Sequence, residues 1–234
     1  MKNSQEFVTF LNLGFNELSI SVFDKDNYEV YQDKLLKEKD ISNNFNKSIL
    51  NNFLDKNIFK IEKLTKIFLK KINLVLESDY FISIKVSIKR KSFGNIITDH
   101  ELRQMLYELR EQIKENNPNK SIIHMIIENY VINDEKFEDL KFELKCDNLI
   151  LELNFICLPN EFVENLNNQL KYYQVELDRI ISAEYARKFI LHDLSSLNEK
   201  ALKIRNGENP NEIQIIPKNL SKKGFFEKFF NLFS

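Results

Sequence analysis

The chain has 234 residues, 43% of them hydrophobic, and a formal net charge of −1. That length holds one domain or two small ones, with enough apolar material for a core. A balanced charge excludes a globally basic nucleic-acid binder. Only four residues are glycine, which leaves little material for loops that cradle phosphate.

Phe7–Leu13 is an apolar run broken at Gly14. Leu18–Phe23 follows with alternating Leu18, Ile20 and Val22, and Asp24–Asn27 reads as a turn before a third strand at Tyr28–Tyr31. Three consecutive short strands predict an antiparallel meander. Ser42–Lys56 is polar but carries Phe45, Ile49, Leu50, Phe53 and Leu54 at helical spacing. Ile58–Leu76 reads as a long helix with Ile61, Leu64, Phe68, Ile72 and Val75 on one face.

A second unit is predicted to begin near residue 79. Tyr80–Ile88 alternates as a half-buried strand. Thr98 and Glu101 have the spacing of a capping box, and Leu102, Met105, Leu106, Leu109 and Ile113 continue a helix to about Asn116. Ser121–Val131 is a strongly apolar strand. Phe137–Cys146 and Leu149–Leu158 alternate about Asp147-Asn148, which reads as a hairpin. After Pro159 a helix resumes through Phe162, Leu166 and Leu170. A short strand at Leu177–Ile181 and helices at Ala183–Leu191 and Leu197–Ile204 follow. Gly207, Pro210 and Pro217, set among Asn, Glu and Lys, make Asn206–Ser221 read as a flexible linker.

The chain ends in Lys222, Lys223, Gly224, Phe225, Phe226, Glu227, Lys228, Phe229, Phe230, Asn231, Leu232, Phe233 and Ser234. Wound as a helix at about 100° per residue, Phe225, Phe226, Phe229, Phe230, Leu232 and Phe233 fall within an arc of about 160°. Lys222 and Lys223 flank its start, and Lys228 lies on the polar face. A short, Phe-rich, Lys-flanked amphipathic helix fits the surface of an anionic membrane. The competing readings are a tail folded onto the protein's own core and a tail zipped into a dimer.

Little else carries chemistry. His100, His124 and His192 are far apart and lack acids at metal spacing, and His124 reads as a core or edge histidine. Asp24 and Asp26 have no third ligand in view. Cys146 and Cys157 fit no zinc motif and read as buried, reduced thiols. Lys89-Arg90-Lys91 and Glu135–Asp139 read as solvated charge clusters, and Tyr172-Tyr173 as packing. No nucleophile–base motif appears. Met1–Glu6 is polar and Phe7–Phe10 too short for a signal peptide, and no run of about 18 apolar residues exists. The expectation is a cytosolic protein with peripheral membrane contact, no enzyme activity, no metal and no cofactor.

Several segments, in order, resemble the cell-division protein family FtsA, actin-like membrane tethers. Phe7–Gly14 with Leu18–Phe23 resembles that family's phosphate-side hairpin. Ile96–Leu102 resembles the helix entry of its inserted subdomain, called 1C or SHS2. Ile122–Tyr130 and Leu149–Leu158 resemble strands of the same subdomain, and Gln174–Arg187 the start of the next. The resemblance implies an α+β fold: a truncated actin-like, ribonuclease H-like half with an inserted strand–helix–strand–strand module and a C-terminal amphipathic helix. The implied domains are 1–78 and 159–205 (actin-like), 79–158 (inserted module), 206–221 (linker) and 222–234 (membrane-targeting helix).

The family's opening Asp-x-Gly is here Asn12 and Gly14, followed by Phe15 and Asn16 in place of hydroxyl residues. Set against that family, these residues are expected to lack the second actin-like half, the glycine-rich adenosine loop and, with the upper lobe, the family's usual FtsZ-tail site. The implied function is a nucleotide-free adaptor on the cytoplasmic face of the inner membrane, at the division site. Its implied partners are anionic lipids, divisome proteins, FtsZ by a non-standard surface, and other copies of itself. The alternatives are a PilM-like pilus-assembly platform and an actin-fold ATPase.

Overall fold

The computed structural model describes residues 7–36, 47–138, 145–189 and 195–214. The Phe-rich segment Lys222–Phe233 lies outside them, as do residues 139–144. Contacts divide the chain into two units: the chain up to Asp79 with Glu164–Arg205, and Tyr80–Val163 with the chain from Asn206.

The first unit is built on five strands: β1 (Val8–Leu13), β2 (Glu17–Phe23), β3 (Glu29–Leu36), β4 (Lys71–Leu76) and β9 (Glu176–Ser182), in the order β3-β2-β1-β4-β9. β1 runs antiparallel to β2 and β2 to β3, whereas β4 is parallel to β1 and β9 to β4. The sheet is therefore mixed, antiparallel over β3-β2-β1 and parallel over β1-β4-β9. Almost every residue of β1, β2 and β4 is buried, so both faces of the sheet are covered. Phe10 and Phe23 meet edge to face at 5.9 Å inside it.

Helices α1 (Lys47–Thr65), α4 (Ala183–Phe189) and α5 (Leu197–Arg205) belong to the same unit. α1 buries Leu50, Phe53, Leu54, Asn57 and Ile61. The buried Asn57 amide donates to Phe53 O and accepts from the Tyr31 hydroxyl. Asn198 of α5 donates to Ser21 Oγ of β2 at 2.8 Å. Asp33 of β3 pairs with Lys56 of α1 at 3.0 Å.

The expected long helix Ile58–Leu76 is two elements. α1 ends at Thr65, Lys66 takes φ 60°, and the chain enters β4 at Lys71. Ile72 and Val75 sit at a spacing that continues the helical stripe of Ile61 and Leu64. Leu74 is the residue that decides, because with Ile72 and Val75 it is buried as part of a strand enclosed on both faces. The polar, Asn-rich segment before Ile58 forms most of the helix instead. The third strand also runs longer than Tyr28–Tyr31, to Leu36.

The second unit is a four-stranded antiparallel sheet of β5 (Ile82–Lys91), β6 (Lys120–Ile132), β7 (Glu135–Phe137) and β8 (Asn148–Pro159), ordered β5-β8-β6-β7. Helix α2 (Asp99–Asn116) packs its Leu102, Met105, Leu106, Leu109 and Ile113 face against Met125, Ile127, Leu151, Leu153 and Phe155. Its capping box is formed: Thr98 Oγ1 accepts from Glu101 N–H, and the Glu101 carboxylate accepts from Thr98 N–H. α3 (Asn160–Lys171) begins in this unit and ends in the first.

The expected hairpin about Asp147-Asn148 is not the one observed. β7 pairs with β6 through a two-residue turn, Asn133-Asp134, with φ of 49° and 71°. Asn and Asp tolerate that left-handed conformation, which matches the strand twist of a tight hairpin. Asp147 and Asn148 instead donate their N–H groups to Asn133 Oδ1.

Candidate functional site

Two places in the structure bear on function, one in each unit. In the first unit it is the β1–β2 turn, where the resemblance puts the phosphate-side hairpin. Asn12 is buried in β1 with its Oδ1 lacking a hydrogen-bond partner. Gly14 N–H donates to Glu17 O at 3.0 Å. Phe15 N–H donates to Glu77 Oε2 at 2.9 Å, and Arg187 Nη1 donates to Glu77 Oε1 at 2.7 Å. Glu77 follows directly from β4, and its own N–H donates to Leu13 O.

The backbone donors of this turn bond within the protein. The N–H of Phe15, which would serve an anion, already serves an internal carboxylate. That carboxylate is in turn paired with Arg187. A side chain added at Gly14 would meet Glu17 O and Glu77 Oε2 at 3.2 and 3.3 Å, so Glu77 closes the space above the turn. Among the described residues no group of three or more His, Cys, Asp or Glu side chains could hold a metal.

In the second unit the feature is the edge of β6. Among the described residues β7 covers this edge at Tyr130–Ile132. Farther along, the chain after α5 returns to it. Ile127 N–H donates to Asn211 O at 2.9 Å, and Ile213 N–H donates to Met125 O at 2.8 Å. Between them Ile126 and Glu212 form an antiparallel bridge. His124 Nδ1 lies 2.7 Å from Glu212 Oε1, with side chains 0% and 2% exposed. Tyr130 Oη donates to Asn211 Oδ1, and Ile213 packs against the module's core.

Asn206–Ser221 was expected to be a flexible linker. Its described part, residues 206–214, is instead a strap bonded to β6. Gly207 turns the chain at φ 77° just past α5, a conformation that suits glycine. Pro210 lies in the turn spanned by Glu212 N–H donating to Asn209 O at 3.2 Å. His124 is the core histidine expected, and its partner, 88 residues away, left no trace in local spacing.

The open face of the module sheet is polar. Ser83 and Asn154, Asn154 and Glu128, Lys85 and Glu128, and Lys136 and Glu152 are joined across strands. The Lys136 hydrogen bond leads the causes that hold the Glu152 carboxyl below the usual range. Cys146 and Cys157 are buried and free, and burial pushes the Cys157 thiol up, away from reactivity.

Of the predicted site residues, Asn12 and Gly14 lie at the β1–β2 turn. Lys222, Lys223, Phe225, Phe226, Lys228, Phe229, Phe230, Leu232 and Phe233 lie outside the described residues. Glu77, Arg187 and Glu212 were not singled out. A carboxylate directly after a buried strand was the one available signal for Glu77.

No protein-family model matches the sequence, and no curated protein matches it. Among solved structures, the chain is similar to one from a PilM-PilN type IV pilus biogenesis complex. That likeness has 9% identity and a TM-score of 0.44, covering 87% of this chain and 52% of that one. It is also similar to the cytoplasmic domain of EpsL, an inner-membrane component of the type II secretion system of Vibrio cholerae. There the identity is 10% and the TM-score 0.38, over 77% of this chain and 59% of that one. A third is a protein of unknown function with an actin-like ATPase fold from Bacteroides thetaiotaomicron, at 16% identity and TM-score 0.30, over 78% and 54%. The chain spans between half and three fifths of the length of these structures.

Proposed function

We propose that this chain is a nucleotide-free, membrane-surface adaptor of the FtsA type. Its actin-like half is a platform, its tail is the anchor, and its inserted module is the part that meets divisome partners or further copies at the cytoplasmic face of the inner membrane. The observation that carries the reading is the sequence of residues 225–233, whose Phe and Leu residues would share one face of a helix, with its flanking lysines. Burying one Phe fully contributes about 1.5–3 kcal/mol, less at an interface, and each Lys near an anionic leaflet about 1 kcal/mol. Those sums suit reversible, peripheral binding. Among the described residues no helix is long and apolar enough to cross a membrane.

The test is co-sedimentation of the full chain with anionic liposomes. The wild type is expected to pellet, and Phe226→Glu with Phe230→Glu to stay in solution with an unchanged melting temperature. A double variant that pellets like the wild type removes the tail as anchor. The Phe face would then serve a protein partner, and the PilM-like platform becomes the better reading.

The ATPase alternative is addressed by titration. With Phe15 N–H bonded to Glu77, ATP and ADP are expected to give no saturable binding in the micromolar range by calorimetry, with or without magnesium. Micromolar affinity would overturn the nucleotide-free part of the proposal.

A further inference from the structure

A second basic and apolar surface lies at one end of the first unit. Residues 63–71 read Lys-Leu-Thr-Lys-Ile-Phe-Leu-Lys-Lys, with four lysines and no acid in a chain of net charge −1. The segment spans the end of α1 and the connector into β4. Its apolar side chains do not all turn inward: Leu64 is 52% exposed, Ile67 40% and Phe68 78%. Lys63, Lys66 and Lys70 are exposed as well.

A second connector ends at the same place. β4 and β9 are parallel neighbours with Lys71 opposite Glu176, so their entries lie side by side. Glu176 N–H donates to Lys70 O at 2.8 Å. The turn before β9 carries Tyr172, which is 80% exposed, while its neighbour Tyr173 donates its hydroxyl to Asn51 O. Lys171 is exposed beside it. The acids at this end are Glu62, which accepts from Leu69 N–H, Asp178, which pairs with Lys71 and Arg205, the exposed Glu176, and the exposed Asp55, which interacts with the Tyr173 hydroxyl.

Exposed Phe, Ile, Leu and Tyr among unopposed lysines on two adjacent loops cost free energy in water. They match a surface that is apolar beneath and anionic above. We infer that Leu64, Ile67, Phe68 and Tyr172, with Lys63, Lys66 and Lys70, form a second lipid-contacting surface on the folded body, for anionic headgroups of a bilayer. The inference rests on the membrane-surface reading above and deepens it: the body itself would touch the leaflet that the tail anchors to, which limits how the platform can turn on the membrane.

The test uses the full chain and vesicles of mixed phosphatidylglycerol and phosphatidylcholine, with phosphatidylcholine vesicles as the neutral comparison. Three variants are compared: Ile67→Glu with Phe68→Glu; Lys63→Gln with Lys66→Gln and Lys70→Gln; and the tail pair Phe226→Glu with Phe230→Glu. Melting temperatures check that each variant folds. Both body variants are expected to bind mixed vesicles about tenfold or more weakly, and the lysine variant to lose most of its preference for them. If both body variants bind like the wild type, the inference is overturned and the surface serves a protein or remains in solvent. If only the tail pair loses binding, the tail reading stands and this inference falls. If the tail pair binds normally while the body variants do not, the tail reading falls and this surface carries the contact.

Discussion

Replacing Glu212 with alanine is expected to detach residues 209–213 from β6 and to cost the inserted module about 3–5 kcal/mol. His124 and Glu212 are both enclosed, 2.7 Å apart. Removing the carboxylate takes away a 2.7 Å contact of a buried imidazole. The direct readout is hydrogen exchange at Ile127, whose N–H donates to Asn211 O. Its protection should fall in Glu212→Ala and be largely retained in Glu212→Gln, which keeps an acceptor oxygen. Replacing both members with leucine should recover much of the stability, because a buried pair exchanged for apolar groups is often neutral. Unchanged protection at Ile127 in Glu212→Ala would mean that backbone pairing and Ile213 hold the strap without the pair.

The second large effect is expected from Phe10→Ala in the first unit. Phe10 is wholly buried in β1, and its ring meets Phe23 edge to face. Truncating a core Phe costs about 3–5 kcal/mol. The lost ring contact adds about 0.5–1.5 kcal/mol beyond the area term. Phe10→Leu, which keeps most of the volume, should cost clearly less. The difference is measured as the shift in denaturant midpoint of the first unit's transition. A Phe10→Ala loss below about 1 kcal/mol would place the site at the low end for core truncations and contradict the enclosure described.

The N-terminal meander was legible because Leu18, Ile20 and Val22 alternate and Asp24–Asn27 supplies turn chemistry. The capping box at Thr98 and Glu101 was legible because its signal is local. α1 and β4 merged into one expected helix because Ile72 and Val75 satisfy the helical period, while burial on both faces of a strand depends on what packs around it. The β6–β7 turn was missed because Asn133-Asp134 lacks the glycine that usually marks such turns. The strap is not legible locally, because Gly207 and Pro210 look like linker residues. Its bonds to Met125 and Ile127 are backbone bonds, which sequence does not advertise. At the β1–β2 turn, Asn12 and Gly14 are named by the family resemblance alone, and Glu77 and Arg187 are isolated charges 110 residues apart.

The strap also sets a timetable for synthesis. β7 follows β6 after two residues and can cover Tyr130–Ile132 at once. The stretch at His124–Ile127 must wait for Glu212, 88 residues later. At about 5–20 residues per second the ribosome needs about 4–18 s to deliver it. During that interval the nascent module presents an open strand edge, the kind of surface that recruits neighbouring strands. On a crowded polysome those neighbours include the straps of chains ahead of it, so slowing translation between β6 and residue 212 should raise the yield of exchanged or aggregated product.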